Sequence, residues 1–491
     1  MGEAVILVRS IIKKAILTII SITVLLIFQQ QNQAAETPKV RVLLKDLDIA
    51  KTPEQKIKLT GNYYLYEGAT PVNNIPAPLN QEPKETTLIV KFHKEPTLNQ
   101  TFIDLYYENA PTPFYSTNKT ITFQAENDVK GSFNLKPELS ILSKERYRGD
   151  LIIIPKSSSI HLINRLTLEK YLYGVVPNEA SASWPVNAIK AQILAARTYA
   201  YSKISPNSEF DLYPDQRSQV YRGLSSEFLT VNSLVEQTAG EIITYNGMAI
   251  SALFHSSNGG YIESNNTIYG TSELPYLKPK KDDYDDEAAQ LLRKRGISSY
   301  SVIRWSTEYT SQELRDQLVK NGYDVGEVKE VNITKTAATG RAIEVTVTGE
   351  KGSKVLKYDG TIRKVLGLNS SRFTIAVSEK KYVPKFIPLN STDQQTVSVI
   401  NGDGETIEID KNELNIVGAD GVAMENGGAG YTIIEEIPQK FTFTGKGWGH
   451  GLGMSQWGAW AMAQQTDQHE PFDYKDIIKY YYTGVAITKK Y

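Results

Sequence analysis

One glutamate occupies a position from which it could act on a bond, in the segment Val176-Pro-Asn-Glu-Ala180. The run around its start, Tyr171–Pro177, is apolar, so we expect a buried strand that ends in a turn carrying Glu179. Periodicity alone favours a solvated loop residue at this position. Partial burial, however, would raise the pKa of Glu179 and suit it to general acid catalysis.

A strong helix is predicted directly after this glutamate. Ser183 suits the N-cap and Pro185 suits the first turn. Four apolar residues then recur at helical spacing: Ile189, Ile193, Ala196 and Ala200. Arg197 is expected on a second face of the helix. It is either a plain surface cation or a forked group that holds a sugar oxygen or a carboxylate such as Glu179.

The segment from Gly445 to Gly453 alternates glycine with another residue. As extended chain, it would place Lys446, Trp448 and His450 on one side and bare backbone on the other. Glycine is unfavourable in a strand, so the pattern indicates that another group approaches this backbone closely. That group is either a ligand or a neighbouring sheet. The segment does not match a phosphate-binding loop.

A histidine beside two serines stands at the end of a predicted strand, Ala249–His255. A serine hydrolase reading is disfavoured because the chain has no G-x-S-x-G sequence. A hydrogen-bonded residue at a strand end explains His255 equally well. The five histidines form no HExxH or HxH pair and cysteine is absent, so we expect no metal and no other cofactor, although His255 and His450 could converge in space.

The elements that must position these residues belong to a chain of ordinary globular composition. It has 491 residues, of which 41% are hydrophobic and 22% are charged, and its formal net charge is −1. This charge creates no field that would attract a polyanion, so nucleic acid is not an expected partner. The lack of cysteine also excludes disulfides, iron–sulfur clusters and cysteine nucleophiles.

The N-terminus has the features of an export signal. Arg9, Lys13 and Lys14 precede the apolar stretch Ala15–Phe28, and no further charge occurs before Glu36. We therefore expect residues 1–35 to be a signal peptide or an uncleaved signal-anchor. The body of the protein is expected outside the cytoplasm, secreted, periplasmic or in the cell wall. It would touch a membrane only through an uncleaved N-terminal segment.

Strand and loop signals divide the rest of the chain. Residues 36–140 are predicted to form a β-rich N-terminal domain and residues 379–440 a β-rich insertion. Residues 141–378 and 441–491 would be the two parts of a core that contains strands and helices. We therefore expect an α+β fold.

Six segments together resemble the SpoIID/LytB family, the group of stage II sporulation protein D and of bacterial cell-wall amidase enhancers. The matching segments occur in the family's order: Asn164–Glu179, Trp184-Pro185 with Ala191–Tyr199, Gln219–Gly223, Phe254–Gly260 with Leu274–Leu277, Gly360–Leu368, and Gly447–Ala459. The resemblance covers about residues 145–378 and 441–485, and its last motif is very specific. It implies that the core is a mixed α/β catalytic fold.

The resemblance also implies a lytic transglycosylase that acts on peptidoglycan glycan strands. Glu179 matches the family's acid, which would protonate the glycosidic oxygen and then act as base while the C6 hydroxyl attacks C1. The product would be a 1,6-anhydro-muramyl end. Arg197 matches the family's helix arginine and would orient Glu179 or bind an N-acetyl group. Eight residues are expected to bind the substrate: Gln219, His255, Ser256, Tyr276, Lys446, Trp448, His450 and Gln456.

Two other functions stay open at this point. The LytB branch implies a non-catalytic cell-wall modifier that enhances an N-acetylmuramoyl-L-alanine amidase, which would then be a partner. A module that only anchors to glycan would need binding grooves but not Glu179. We favour catalysis, because binding alone has no use for a carboxylate of tunable pKa. The resemblance extends to relatives that bind zinc through Cys and His. This chain lacks Cys, so we do not expect that zinc site here.

Overall fold

The computed structural model describes most of the chain after the predicted signal segment, which lies outside the described residues. The described ranges are 36–72, 85–126, 132–134, 146–297, 303–378, 381–388, 396–400, 406–410, 430–437 and 439–491. They belong to two compact units. The first unit contains the described residues up to Asn266 together with 271–303 and 451–491, and the second contains 267–270 and 304–450.

The described residues form strands throughout and helices mainly after residue 167. In chain order, strands β1 to β12 are Lys39–Asp48, Glu54–Thr60, Tyr63–Glu67, Thr70–Pro71, Glu85–Glu95, Gln100–Tyr107, Tyr115–Thr117, Ile121–Ala125, Ser132–Asn134, Arg146–Arg148, Asp150–Pro155 and Ser159–Thr167. Strands β13 to β29 are Glu241–Tyr245, Met248–Ala249, Phe254–His255, Tyr261–Ile262, Lys280–Lys281, Arg304–Thr310, Val328–Thr336, Ala342–Gly349, Gly352–Lys357, Phe373–Ser378, Lys381–Pro388, Thr396–Ile400, Thr406–Asp410, Gly430–Ile437, Lys440–Lys446, Met454–Ser455 and Ala486–Lys489.

Ten described α-helices are likewise numbered in chain order. Helices α1 to α10 are Leu168–Tyr173, Val176–Glu179, Val186–Lys203, Leu229–Gln237, Asn265–Tyr269, Asp283–Lys294, Ser311–Lys320, Tyr358–Leu366, Gln456–Met462 and Tyr474–Tyr481. The expectation of an α+β fold is therefore confirmed. Among the residues the structure describes, no helix has both the length and the apolar character that a membrane span requires.

Two six-stranded sheets make up the first part of the first unit. One has the strand order β1-β12-β11-β8-β3-β4 and the other β10-β9-β2-β5-β6-β7. Alternating residues such as Val40 and Val42 of β1 are fully buried, as a half-buried strand requires. Strands from before and after residue 140 share both sheets, so the predicted domain boundary there is not a boundary between sheets.

Helix α3 lies at the centre of the helical part of the first unit. Pro185 is its N-cap residue, and the helix buries Ala, Ile and Leu side chains on several sides, packing against α1, α4, α9 and α10. The apolar run Tyr171–Pro177 was expected to be a strand, and this is wrong: it belongs to α1 and α2. A short apolar run buried on all sides shows no periodicity that separates helix from strand.

The second unit has its own core, which includes the fully buried Phe441 and Phe443 of β27. Strand β27 is central in the sheet β18-β27-β22, and β19-β20-β21 form a second sheet. Helix α7 begins at Ser311, because Thr310 and Glu313 form a capping box. Within the predicted insertion, β23 pairs with β26 and β24 pairs with β25.

A candidate active site around Glu179

Glu179 is the last residue of the short helix α2 and is partly buried. The backbone N–H of Val220 donates a hydrogen bond to its Oε1 at 2.9 Å, and Gln456 Nε2 donates to its Oε2 at 3.4 Å. Burial raises the pKa of Glu179, and the two hydrogen bonds offset part of that rise. No cation pairs with Glu179 in the described part of the chain. The protonated acid is therefore favoured more than in an exposed glutamate.

Gln219 holds the loop that carries the Val220 N–H. This side chain is only 1% exposed. Its Oε1 accepts a hydrogen bond from the Tyr171 hydroxyl at 3.1 Å, and its Nε2 donates to the Ala196 carbonyl at 3.3 Å. Both hydrogen bonds are internal, so Gln219 fixes the position of the Val220 N–H that donates to Glu179. Its predicted contact with substrate stays a prediction.

Gln456 is the first residue of α9, whose N-cap is Ser455. Its Nε2 is shared between Glu179 and Gln192 Oε1, each at 3.4 Å. Gln192 on α3 is 1% exposed, and its own Nε2 has no hydrogen-bond partner among the described residues. A buried amide donor thus lies one side chain away from the acid. No motif or spacing in the sequence singles out Gln192.

A buried carboxylate ties together the two loops on the Gln456 side. Asp285 of α6 is fully buried. Its Oδ2 accepts hydrogen bonds from Ser257 Oγ at 2.7 Å and the Gly259 N–H at 2.9 Å, and its Oδ1 accepts from Ser455 Oγ at 2.5 Å. Asp285 therefore positions Ser455 and, through this N-cap, the start of α9 where Gln456 lies.

A second fully buried carboxylate, Asp282, lies beside the first. It accepts hydrogen bonds from Asn258 Nδ2 at 2.6 Å and the Tyr481 hydroxyl at 3.0 Å. Burial raises the pKa of both carboxyl groups, and the nearby charge of Asp285 raises that of Asp282 further, to about 7. Two adjacent buried acids cannot both ionise without a large desolvation cost, so the pair favours one retained proton.

His255, Ser256 and Tyr276 make hydrogen bonds within the protein, and their contact with substrate stays a prediction. His255 is 5% exposed and its Nδ1 lies 3.0 Å from the Leu452 carbonyl oxygen, beside the parallel pair β15–β28. The Ser256 carbonyl accepts from the Trp457 N–H at 3.1 Å. The Tyr276 hydroxyl accepts from the Ser251 N–H at 3.0 Å. Only two short strands form where one strand, Ala249–His255, was predicted.

The expectation that Arg197 pairs with Glu179 is wrong. Its side chain is fully buried, and its Nη2 lies 2.8 Å from Glu169 Oε2 of α1. The same Nη2 donates to the Val235 carbonyl at 3.0 Å and to Thr238 Oγ1 at 3.1 Å. The guanidinium is therefore occupied by protein groups, and Arg197 fixes α3 to its neighbours.

Lys446, Trp448 and His450 lie in the second unit, and Glu179 lies in the first. The alternating glycines are not extended: Gly447 and Gly449 have φ angles of +84° and +116°. Trp305 Nε1 donates to the Gly447 carbonyl at 2.9 Å. The side chain of Trp448 is 44% exposed. Substrate binding by these three residues stays a prediction.

The close approach predicted for the glycines is a contact with the protein itself at the two ends of the segment. A Cβ at Gly445 would lie 2.2 Å from the ring of Trp305, and a Cβ at Gly453 would lie 2.1 Å from the Leu253 carbonyl oxygen. Gly453 also has a φ of +66°, which favours glycine. At both positions tight packing explains the glycine.

Two parts of the chain match known protein families. A family model described as stage II sporulation protein matches residues 156–245, which include Glu179, Arg197 and Gln219. A model of a domain of unknown function matches residues 263–389. The stage II sporulation protein D of Bacillus amyloliquefaciens is 30% identical over 352 residues, covering 68% of this chain and 77% of that protein. This chain belongs to the SpoIID/LytB family.

Other relatives include the amidase enhancer of Bacillus subtilis, which is 32% identical over 419 residues. That match covers 76% of this chain but only 54% of the enhancer, so the chain spans about half the length of that relative. The stage II sporulation protein D of Bacillus subtilis is 28% identical over 349 residues, covering 67% of this chain and 76% of that protein.

Two tryptophans of this family member come from the segments that carry Glu179 and Gln456, and the sequence analysis did not single them out as candidate site residues. Trp184 is in the loop between α2 and α3, and Trp457 follows Gln456 in α9. Their ring centroids are 5.0 Å apart, and both side chains are partly exposed. Their closeness in sequence to Glu179 and Gln456 was the available signal.

No grouping of three or more His, Asp or Glu side chains suited to a metal ion occurs within the described ranges. The expectation that the protein needs no metal stays a prediction.

Proposed function

We propose that this chain is an extracytoplasmic lytic transglycosylase of peptidoglycan with Glu179 as its acid and base. The observation that carries the proposal is the partly buried carboxyl group whose pKa burial raises. A proton donor for a glycosidic oxygen needs such a pKa near neutral pH. The names of the relatives, a stage II sporulation protein D and an amidase enhancer, agree with a role at the cell wall.

The reaction needs only one carboxyl group. Glu179 gives its proton to the glycosidic oxygen, and the bond from that oxygen to C1 of the muramyl unit breaks. The C6 hydroxyl of the same unit attacks C1 and passes its proton to Glu179. Acid and enzyme are restored, no water is consumed, and a 1,6-anhydro ring forms. Ordinary glycosidases need a second carboxylate for a water or a covalent intermediate.

The hydrogen bonds of Glu179 suit this exchange of roles. The Val220 N–H and Gln456 Nε2 are neutral donors that stabilise the carboxylate once the proton has left. A lysine or arginine at this place would instead lower the pKa and keep the acid ionised. Within the described residues, no second carboxylate hydrogen-bonds to Glu179, as the one-carboxylate mechanism requires.

The decisive experiment is Glu179→Gln, tested on purified glycan strands with mass spectrometry of the ends. The variant keeps the size of the side chain but cannot release a proton, so we expect anhydro ends to form at least about 10²-fold more slowly. Glu236→Gln is the matched control, because Glu236 is a half-exposed glutamate of α4 that pairs with Lys170. If Glu179→Gln releases anhydro ends at the parent rate, the assignment is wrong.

A second function is favoured by the 32% identity to a protein named amidase enhancer. In that case the chain would bind the wall and stimulate an N-acetylmuramoyl-L-alanine amidase without cleaving glycan. Assays of purified cell wall with an amidase separate the two functions. If the parent protein makes no anhydro ends, and parent and Glu179→Gln stimulate the amidase equally, the enhancer function is correct and the transglycosylase function is not.

A further inference from the structure

Trp184 and Trp457 form an aromatic surface from the two segments that carry Glu179 and its partner Gln456. Trp184 follows Glu179 by one loop, in which its N–H donates to the Ser181 carbonyl at 3.0 Å. Trp457 is the neighbour of Gln456, whose amide donates to Glu179. The two rings are 5.0 Å apart at an angle of 49°, and both remain partly exposed. Each tryptophan is thus tied through one short segment to a group of the candidate site.

The buried ring of Trp460 backs this surface and holds it in place. The ring of Trp460, 5% exposed, meets Trp457 edge to face at 5.5 Å. The guanidinium of Arg295 lies 5.1 Å from the ring of Trp460. The row of aromatic rings is therefore buried at Trp460 and open at Trp457 and Trp184. A ring that is already fixed loses little further side-chain entropy when a ligand covers it.

Trp184 also lines a groove with a volume of about 560 Å³, between the start of α3 and the start of α4. This volume is in the range of small-molecule sites. The groove walls include Val186, Ile189 and Leu229, with Thr230 and Ser233 as polar groups, and none of the lining residues is charged. The groove therefore suits a ligand with apolar faces, a few hydroxyl or amide groups and no charge.

An N-acetylglucosamine unit has this chemistry. The C–H groups on one face of its ring carry a slight positive charge and fit the negative face of an indole. Its N-acetyl group brings a methyl group for an apolar wall and an amide for hydroxyl partners. The muramyl unit carries a lactyl carboxylate, for which the groove offers no cation. The uncharged lining therefore favours the N-acetylglucosamine units of the strand.

We propose that Trp184 and Trp457 form a subsite that binds an N-acetylglucosamine unit of the glycan strand next to the bond on which Glu179 acts. The subsite rests on the proposed function for its orientation, but its ligand and its residues can be tested without any cleavage. An apolar segment of a protein partner is the rival occupant of the groove.

The first test is ¹⁹F NMR of the full chain labelled with 5-fluorotryptophan, in the Glu179→Gln background, titrated with the N-acetylglucosamine tetramer. The chain has five tryptophans, and Trp→Phe variants assign their signals. We expect the signals of Trp184 and Trp457 to shift with the tetramer, while that of the buried Trp305 does not. A shift confined to Trp448, or no shift at all, would overturn the subsite.

The second test measures tetramer affinity by calorimetry in the same background. Aromatic contacts of this kind correspond to roughly a threefold to tenfold loss when one ring is removed. We expect this loss of affinity for Trp184→Ala. The loss for Trp457→Phe should be smaller, since that variant keeps an aromatic ring. Tyr64→Ala is the matched control, because Tyr64 of β3 is a partly exposed aromatic residue outside the candidate site, and this variant should bind as the parent does. Thermal unfolding curves identify any variant that fails to fold. If an alanine variant fails to fold, the affinity of Trp457→Phe decides the test.

The rival occupant and the proposed acid give separate results. If Trp184→Ala and Leu229→Ser leave tetramer binding unchanged but reduce stimulation of an amidase, the groove binds a protein and the subsite is wrong. If Glu179→Gln still cleaves glycan while the Trp184 and Trp457 signals shift as expected, the acid is wrong and the subsite stands.

Discussion

A carboxyl group that must give up a proton and then take one back works best when its pKa lies near the working pH. Burial raises the pKa of Glu179, which moves it toward neutral pH, and its two hydrogen bonds offset part of the rise. Gln456 is the adjustable partner, since the other donor is the backbone of Val220. The pH dependence of cleavage is therefore expected to follow changes at residue 456.

Gln456→Glu places a second carboxylate against Glu179. A neighbouring negative charge disfavours ionisation, so the pKa of Glu179 rises further. Cleavage needs protonated Glu179 and is lost as the pH rises through its pKa, so the alkaline limb of the pH–rate profile should move to higher pH. Rates of anhydro-end release between pH 5 and 9, a range of about two units either side of neutrality, measure this.

The matched control for this change is Gln468→Glu, the same substitution at an exposed position. Its alkaline limb should coincide with that of the parent protein. An unmoved limb in Gln456→Glu would mean that the titrating group is not Glu179.

At the scale of elements, buried charged groups fix the helices that surround the acid. The carboxylate of Glu169 on α1 receives the guanidinium of Arg197 from α3, the Gly240 N–H and the Tyr491 hydroxyl. The pair Asp282 and Asp285 fixes the start of α9 in a different way, because no cation hydrogen-bonds to either carboxylate among the described residues. These two clusters predict different responses to mutation.

Arg197→Met should destabilise the fold by about 3–5 kcal/mol, because it leaves the Glu169 carboxylate buried without its cation. Urea unfolding measures this loss. The double variant Arg197→Met with Glu169→Leu removes both charges and should recover much of the stability. A stable Arg197→Met protein that has lost only glycan cleavage would contradict this role and restore the arginine as a catalytic residue.

Asp282→Asn should flatten the dependence of stability on pH. The pKa of Asp282 in the fold, about 7, lies above its value in an unfolded chain. Its protonated form therefore contributes stability that is fully present below about pH 4 and is lost as the pH rises through about 7. Urea unfolding at several pH values between these limits shows the slope in the parent and its reduction in the variant.

The control for this series is Asp283→Asn, because the side chain of Asp283 is 72% exposed next in sequence. It should leave the slope unchanged. An equal slope in the parent protein and in Asp282→Asn would show that the buried pair does not titrate in this range.

Local signals in the sequence were sufficient for some elements and not for others. Helix α3 was predicted, because the apolar spacing of Ile189, Ile193, Ala196 and Ala200 is a local signal. The partner of Arg197 was not, since Glu169 and Glu179 are both acidic residues near the same helix and only tertiary packing selects one. The alternating glycines imitate a strand of period 2, although positive φ angles turn the chain at Gly447 and Gly449.

At the scale of the whole molecule, export is the first prediction. The apolar stretch Ala15–Phe28 should direct the chain out of the cytoplasm, so Ile20→Arg together with Leu25→Arg should leave it in the cytoplasm. Immunoblots of cytoplasmic, membrane and external fractions measure the distribution. The pair Ile20→Val and Leu25→Ile is the matched control and should be exported. Recovery of the unaltered protein in the soluble cytoplasm would contradict the prediction.

The residues of the candidate site come from distant parts of the chain. Glu179 and Gln456 are 277 positions apart, and His255 and Leu452 are 197 apart. Closing such long loops costs entropy that grows with loop length, and contacts of this kind form late in folding. A growing chain therefore carries its acid long before it contains the amide and tryptophan of α9. The order of synthesis itself delays assembly of the site until the last helices have emerged.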